Sequence, residues 1–518
     1  MSPPLPVVVV GGGVVGCSIL REFARRGIAA LLVEAEADVC EGTSKANSAI
    51  VHTGFDSKPG TVESRMLRRA AELWPAQIDE LGVPFLAVGA LMLARTADEA
   101  ARLESEIAAN ATALGVRTEL LDRAAVRDVA PYLADDVVAA LSIPGESVID
   151  PFWLTRAAAE SAIAGGAEVR LSARVVGLEI GREGVLVRLE DGTTVEAEQV
   201  VDAAGLRADE VARLAGDDSF SLSPRVGQFL VSEETFGVDR IVLPIPGPLG
   251  KGMLVTPIVF GGLLLGPTAV DVTDRDDRGV DPAARERILG ATAPLVPALA
   301  EAVPVRQFAG LRHVSSTGDF IVRPSSVSDR LYLAAGIRST GISASPAIAE
   351  VVADEVVALR GWRGATDFRP LPPEPLALPD EPGPIVCLCR SISRAEVEAA
   401  CRRPLPPRTL DGVKRRGGAT FGDCQGNLCA LDVAAIVAAE RGIPVGGVEK
   451  HRRGSWLWLV PDEVHGASPA VAAGGVARTR DGETERSIAT DVAIVGAGRA
   501  GRAAAETLAA AGWRVVVV

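Results

Sequence analysis

The hydrophobic pattern sorts the chain into three kinds of segment. Residues 6–34 read PVVVVGGGVVGCSILREFARRGIAALLVE. A β-branched run predicts a strand, an amphipathic stretch predicts a helix, and a second apolar run ending at Glu34 predicts another strand. Residues 199–215 (QVVDAAGLRADEVARLA) repeat the strand–turn–helix form, with small residues at the turn. Residues 366–384 break the pattern with seven prolines, which predicts a semi-stiff linker. No run of about 20 apolar residues occurs, so no spanning helix is expected. The N-terminus lacks a basic region and a small-residue cleavage site, so a cytoplasmic protein is expected.

Gly11-x-Gly13-x-x-Gly16 joins the first strand to the first helix. Gly11 permits the tight turn, Gly13 lets backbone approach a pyrophosphate, and Gly16 lets helix and strand pack closely. The helix start offers free N–H groups and a positive dipole end to phosphate. Glu34 is placed to accept from a ribose hydroxyl. The site opens the chain, which suits FAD. The strand ending in Ala203-Ala204-Gly205 supports this, since small residues let backbone pass beneath a cofactor.

Length and charge narrow the class. A chain of 518 residues exceeds one core, so two or three domains are expected. The formal net charge of −14 and the lack of a basic stripe exclude nucleic acid as the main partner. A local arginine cluster would still admit an anionic small-molecule substrate.

Several further segments, in order, resemble the D-amino-acid-oxidase-like superfamily of FAD enzymes, specifically the branch of glycerol-3-phosphate dehydrogenase large subunits and L-2-hydroxyglutarate oxidases. Residues 42–55 (GTSKANSAIVHTGF) are similar to its flavin-embracing loop, which implies that Thr43, Ser44, Asn47 and Ser48 touch FAD. Ile149-Asp150-Pro151 resembles its helix-opening element, and residues 224–228 (PRVGQ) one of its strands. Lys251-Gly252 with residues 266–269 (GPTA) resembles its substrate-domain strands, and residues 309–312 (AGLR) its "GxR" element. Residues 336–346 (GIRSTGISASP) resemble the closing loop over the flavin, which implies contacts from Gly336, Gly341 and Ile342, as Ala204 and Gly205 would make from below. The resemblance covers about the first 365 residues. Two departures affect substrate choice: Arg338 stands where the branch often carries an acid, and the chain reads His52-Thr53-Gly54-Phe55-Asp56 where relatives differ.

The seven cysteines are uneven, with five crowded between Cys387 and Cys429. Without an export signal, crowding points to a metal site rather than to disulfides. Cys387-x-Cys389 and Cys424-x4-Cys429 supply the four thiolates of a [2Fe–2S] cluster, and zinc is the rival ligand. Lys414, Arg415 and Arg416 lie nearby and would favour the reduced cluster, while Cys401 reads as a packed thiol on a helix. The setting resembles the bacterioferritin-associated-ferredoxin-like domain fused to members of this branch.

Residues 489–518 begin a second strand–glycine–helix unit, Gly496-x-Gly498-x-x-Gly501, that stops after its second strand. A lone βαβ unit cannot build a sheet core. Truncation of a longer fusion is expected, and the fusion would add a second FAD or NAD(P).

The expected architecture is α/β. It comprises a FAD-binding Rossmann-type oxidoreductase domain with an inserted antiparallel substrate domain (1–365), the linker (366–384), a small helical [2Fe–2S] domain (385–440), a linker region (441–488) and the partial dinucleotide unit (489–518). His52 is the candidate base for an alcohol proton, since its pKa lies near neutrality. Arg312 is the candidate clamp for carboxylate or phosphate, with a structural ion pair as the alternative. His313 should face away from Arg312 if the segment is a strand. Arg225, Gln228, Lys251 and Arg338 are weaker candidates; His451 and His465 read as solvated, and Trp456 and Trp458 as one face of a strand. The resemblance implies oxidation of a secondary alcohol, with sn-glycerol 3-phosphate ahead of L-2-hydroxyglutarate or another 2-hydroxy acid, and an amine or amino acid third. Electrons would pass through the cluster to an accepting oxidoreductase subunit or domain. A non-catalytic electron-transfer subunit is the reading from a different class.

Overall fold

The computed structural model describes residues 5–247, 252–363 and 383–457, with two backbone strands, Val492–Ile494 and Val515–Val517. Lys251, Trp458, His465, the proline-rich segment up to residue 382 and the glycines at 496, 498 and 501 lie outside the described residues. The chain divides into two compact units, Met1–Pro375 and Leu376–Val518.

The first unit is built around the apolar run that opens the sequence. Leu5–Val10 lies between Ala30–Val33 and Thr194–Asp202, parallel to both, with Val8 opposite Leu31 and Val200. Glu168–Arg170 extends the sheet on one side and Leu331–Ala335 on the other, again in parallel. Parallel strands need both faces covered. Val8, Val10, Leu31 and Val33 pack with Ala208, Val211 and Ala212 of the helix Ala208–Leu214. The helix Val14–Arg25 packs with Pro151–Ala164 and Gly341–Arg360. Asp150 opens Pro151–Ala164 by accepting from the N–H groups of Phe152 and Trp153, and proline takes the first helical position where no N–H is needed.

A nine-stranded sheet follows, antiparallel except where Ile241–Pro244 runs parallel to Ala90–Ala94. Its longest ladder pairs Leu222–Ser232 with Arg306–Ser315, from Leu222 opposite Ser315 to Val231 opposite Arg306. This is the inserted antiparallel sheet expected beside the parallel one. A third, three-stranded sheet joins Ile50–Val51 to Ser147–Ile149, with Ile50 opposite Val148 and Val51 opposite Ser147.

The second unit holds the clustered cysteines. Ile385–Cys387 pairs with Ile392–Ser393, and three helices follow: Arg394–Cys401, Leu410–Gly417 and Ala430–Arg441. Ser393 and Glu396 form a reciprocal capping box on the first helix. Val397, Leu410, Val413, Val433 and Val437 make the core, and Cys401 belongs to it, its thiol pushed up to about 11 chiefly by burial. Residues from 441 onward were expected as linker, but the described part to 457 packs on this core. Val448 is buried in it, the N–H groups of Leu410 and Asp411 donate to the carbonyls of Glu449 and Lys450, and Lys450 pairs with Asp411. One buried valine and irregular backbone pairing leave no periodicity to read. Trp456 meets Glu449 in a single antiparallel bridge instead of a strand. The strands Val492–Ile494 and Val515–Val517 pair in parallel.

Candidate functional site

A cavity of about 900 Å³ runs from the first glycine turn to the inserted sheet. Its floor is made by the absence of side chains. A Cβ on Gly11, whose φ is 110°, would meet the carbonyl oxygen of Ala203 at 2.5 Å, and one on Gly16 would meet that of Gly11 at 1.9 Å. Gly11 and Gly13 line the cavity, whereas Gly16 lies beneath it and serves packing. At the helix start, the N–H of Val14 donates to Ser44 Oγ at 2.9 Å, so the 42–48 loop closes over the anion-favouring end of the helix. Glu34 lines the cavity too. Its carboxylate accepts from the N–H groups of Gly12 (2.5 Å) and Glu36 (2.8 Å), and burial pushes it up to about 7 against these bonds. A ribose hydroxyl would therefore meet a carboxyl already braced by backbone.

The 42–48 loop is self-bonded. Asn47 Nδ2 donates to the carbonyls of Thr43 and Ser44, and Asn47 Oδ1 accepts from Ala49 N. Thr43 Oγ1 donates to the carbonyl of Leu311 at 2.6 Å. This close approach explains a further glycine: a Cβ on Gly310 would lie 2.1 Å from the carbonyl oxygen of Ala46. Thr43, Ser44, Asn47, Ser48, Ala204, Gly205, Gly341 and Ile342 all line the cavity; Gly336 does not, and its φ of 65° serves the turn instead. Lining atoms that are glycine, small or backbone, a helix start that lines the cavity at Gly13, Val14 and Val15, and a braced acid together fit a flat, elongated dinucleotide such as FAD.

Two polar side chains face the same space from other elements. His52 follows the short strand Ile50–Val51 and is 8% exposed. Its Nδ1 lies 2.7 Å from Glu146 Oε2, while Nε2 has no hydrogen-bond partner among the described residues. Glu146 is 0% exposed, and its Oε1 accepts from Thr53 N (2.7 Å) and Thr53 Oγ1 (2.8 Å). Arg312, on Arg306–Ser315, donates to Ser339 Oγ at 2.8 Å and has no ion-pair partner among the described residues. Burial and the nearby Arg225 and Arg338 lower its guanidinium pKa. A cation crowded by cations is poised to gain from an anionic ligand. His313, next to Arg312 on the strand, is 4% exposed and lines the same cavity. Neither ring nitrogen has a hydrogen-bond partner among the described residues, and the Ile337 backbone lies nearby.

The weaker candidates serve the scaffold. Arg225 forms a two-bond pair with Asp271, Arg338 lies 3.4 Å from Glu63, and Gln228 accepts from Asp281 N and Gln307 Nε2. Sequence reasoning missed Glu146 and Asp202, and it placed Gly310 in a motif without its contact to the 42–48 loop. Asp202 is buried, with one oxygen accepting from Ala204 N and the other without a partner among the described residues, and burial raises its pKa. Glu146 is signalled only by the register of Ile50–Val51 with Ser147–Ile149, which carried on by one residue brings 146 opposite 52.

In the second unit the cysteines form two pairs. Cys389 faces Cys424, and Cys387 faces Cys429. Among the described residues no three Cys, His, Asp or Glu side chains converge as on a single ion. Two pairs fit a two-iron rhombus, in which each iron takes two thiolates, better than one tetrahedral zinc. A Cβ on Gly422 would sit 2.3 Å from Cys389 Cβ, so glycine is required where the two loops touch. The N–H of Leu428, with those of Gly426 and Asn427, points at Cys424 and lowers its thiol pKa; burial, reinforced by Cys387, pushes Cys429 up to about 12. Of the basic residues, Arg416 donates to the carbonyls of Leu405 and Gly412, and Lys414 lies over the Phe421 ring at 5.4 Å.

Comparison with known proteins bears on both units. The family described as FAD dependent oxidoreductase matches residues 6–355, and the BFD-like [2Fe-2S] binding domain matches residues 385–439. A glycerol 3-phosphate dehydrogenase of Caloramator mitchellensis is 33% identical over 88% of this chain and 98% of its own length. An anaerobic glycerol-3-phosphate dehydrogenase subunit A1 of Haloferax volcanii is 26% identical over 84% of this chain and 83% of its own. The dithionite-reduced L-alpha-glycerophosphate oxidase of Mycoplasma pneumoniae, solved with FAD bound, superposes with a TM-score of 0.66 at 27% identity, covering 71% of this chain and 97% of that one. The glycine-floored cavity and the paired cysteines thus have a common explanation: the chain belongs to the FAD dependent oxidoreductase family and carries a BFD-like [2Fe–2S] binding domain.

Proposed function

We propose that this protein is a dehydrogenase that oxidises sn-glycerol 3-phosphate at its secondary alcohol and delivers the electrons through its [2Fe–2S] centre to a companion oxidoreductase subunit or domain. The observation that carries the substrate reading is the shared cavity. It holds a histidine with a free ring nitrogen and an arginine with no carboxylate partner among the described residues. Arg312 would take the phosphate, and His52 Nε2 would accept the hydroxyl proton. Bound FAD accepts two electrons and releases them singly. Gly11, Gly13, Gly16, Glu34, the 43–48 loop, Ala204, Gly205, Gly336, Gly341 and Ile342 would hold or support it, and Cys387, Cys389, Cys424 and Cys429 the cluster. The names of the relatives support this substrate, and that of the Haloferax protein, a subunit, supports an assembled acceptor.

In this reading residues 1–365 carry the oxidation, 385–440 the cluster, and 489–518 a second dinucleotide unit, which the parallel pairing of Val492–Ile494 with Val515–Val517 supports. Among the described residues no helix is long and apolar enough to cross a membrane. A 2-hydroxy acid is the second reading, favoured because a guanidinium fork matches a carboxylate with two bonds. The test is anaerobic stopped-flow absorbance with glycerol 3-phosphate, L-2-hydroxyglutarate, lactate and amino acids. Rapid bleaching of the flavin band by glycerol 3-phosphate, followed by loss of cluster absorbance, is expected. Bleaching by L-2-hydroxyglutarate alone moves the assignment to the second reading. No bleaching by any of them, on FAD-loaded protein, removes both.

A further inference from the structure

The geometry assigns Glu146 as the positioning residue that holds His52 in the tautomer able to accept a proton; this rests on the reading of His52 as the base. Glu146 sits in the turn between Ala139–Ile143 and Ser147–Ile149, fully buried. Three independent contacts fix it. Its own carbonyl accepts from Gly89 N at 2.8 Å, its Oε1 takes both Thr53 donors, and a Cβ on the preceding Gly145 would lie 2.7 Å from Thr53 Cγ2, so the turn can approach only as glycine. The backbone N–H of Thr53 can only donate, so the oxygen of Glu146 at that position must accept. The other oxygen is left 2.7 Å from His52 Nδ1. A carboxylate there takes the hydrogen on Nδ1, and in a neutral imidazole that leaves the lone pair on Nε2. Ser343 Oγ, accepting from His52 N at 2.8 Å, anchors the backbone of the same residue.

When the substrate O–H breaks, its proton forms the Nε2–H bond and the ring becomes an imidazolium. The Nδ1 hydrogen stays in place, and the Glu146 charge balances the new cation without itself taking a proton. Burial without exposure to water makes the pairing stronger than it would be at the surface.

Glu146→Gln tests this because its shape is kept while one oxygen becomes an amide. Thr53 N must still meet the amide oxygen, which turns the NH₂ toward Nδ1. Nδ1 must then accept, the hydrogen moves to Nε2, and the base is blocked. The whole chain, FAD-loaded and labelled with ¹⁵N-histidine, has only four histidines to resolve. Wild type should show the His52 hydrogen on Nδ1, and Glu146→Gln should show it on Nε2. With glycerol 3-phosphate, kcat should fall by roughly 10²-fold or more while KM stays within about threefold, since the loss is of general-base action. On a His52→Gln background the same change should have no further effect. An unchanged tautomer and unchanged kcat in Glu146→Gln, with His52→Gln inactive, overturns the assignment alone. Full activity in both variants overturns the reading of His52 as base. Should Glu146→Gln fail to retain FAD, Glu146→Asp decides: kcat lowered about tenfold with the Nδ1 hydrogen kept supports the assignment, and unaltered kcat refutes it.

Discussion

His313 makes a quantitative prediction about acid stability. The ring is buried, neither nitrogen has a hydrogen-bond partner among the described residues, and burial drives its pKa from 6.5 to about 4. Between those values the unfolded chain binds a proton that the folded chain rejects, so stability is full above pH 6.5 and falls as pH drops toward 4. At about 1.36 kcal/mol per pKa unit the loss reaches about 3 kcal/mol. The first unit ends at Pro375, and about 2.1 cal/mol/K per residue over that length converts the loss to a Tm decrease of roughly 4 °C. His313→Leu removes the titrating group and both unpaired nitrogens. Thermal and urea unfolding of FAD-loaded wild type and variant from pH 7 to 4.5 measures the difference. The variant should be no less stable at pH 7 and should lose less stability on acidification. Parallel pH dependences for the two proteins would show that His313 is not buried and neutral in the way described.

Other predictions concern the site directly. Gly310→Ala should lower FAD retention severely, read as flavin absorbance per chain after gel filtration, because its Cβ would meet the Ala46 carbonyl at 2.1 Å. Arg312→Lys should raise KM for glycerol 3-phosphate at least tenfold, losing the two-bond fork but keeping charge, with a smaller effect on kcat in steady-state assays. Cys389→Ser and Cys424→Ser should each abolish the cluster's visible absorbance and the second stopped-flow phase while leaving flavin bleaching by substrate intact. Glu34→Gln should weaken FAD binding by about tenfold in a titration of stripped protein, the order of one or two hydrogen bonds.

Much of this protein is written in local sequence. A valine run, three glycines at fixed spacing and a terminal acid specify strand, turn, helix and strand, because each needs only its neighbours along the chain. The same holds for Asp150-Pro151 opening a helix and for the small residues at 203–205. The Cys387-x-Cys389 and Cys424-x4-Cys429 spacings are legible for a related reason, since residues close in sequence stay close in space, whereas the facing of Cys389 with Cys424 and of Cys387 with Cys429 is set by the fold. Tertiary structure decided which residues complete each site. Glu146 reaches His52 only because two short strands pair in one register, and a shift of one residue would turn it to the other face. Gly310 is required only because a loop more than 260 positions earlier lies against it, as the contact with Ala46 shows. That Arg312 has no ion-pair partner and the His313 ring no hydrogen-bond partner among the described residues depends on what the folded surroundings fail to supply. Absent partners of that kind leave no mark in a sequence, because they are properties of the space around a residue and not of the residue itself.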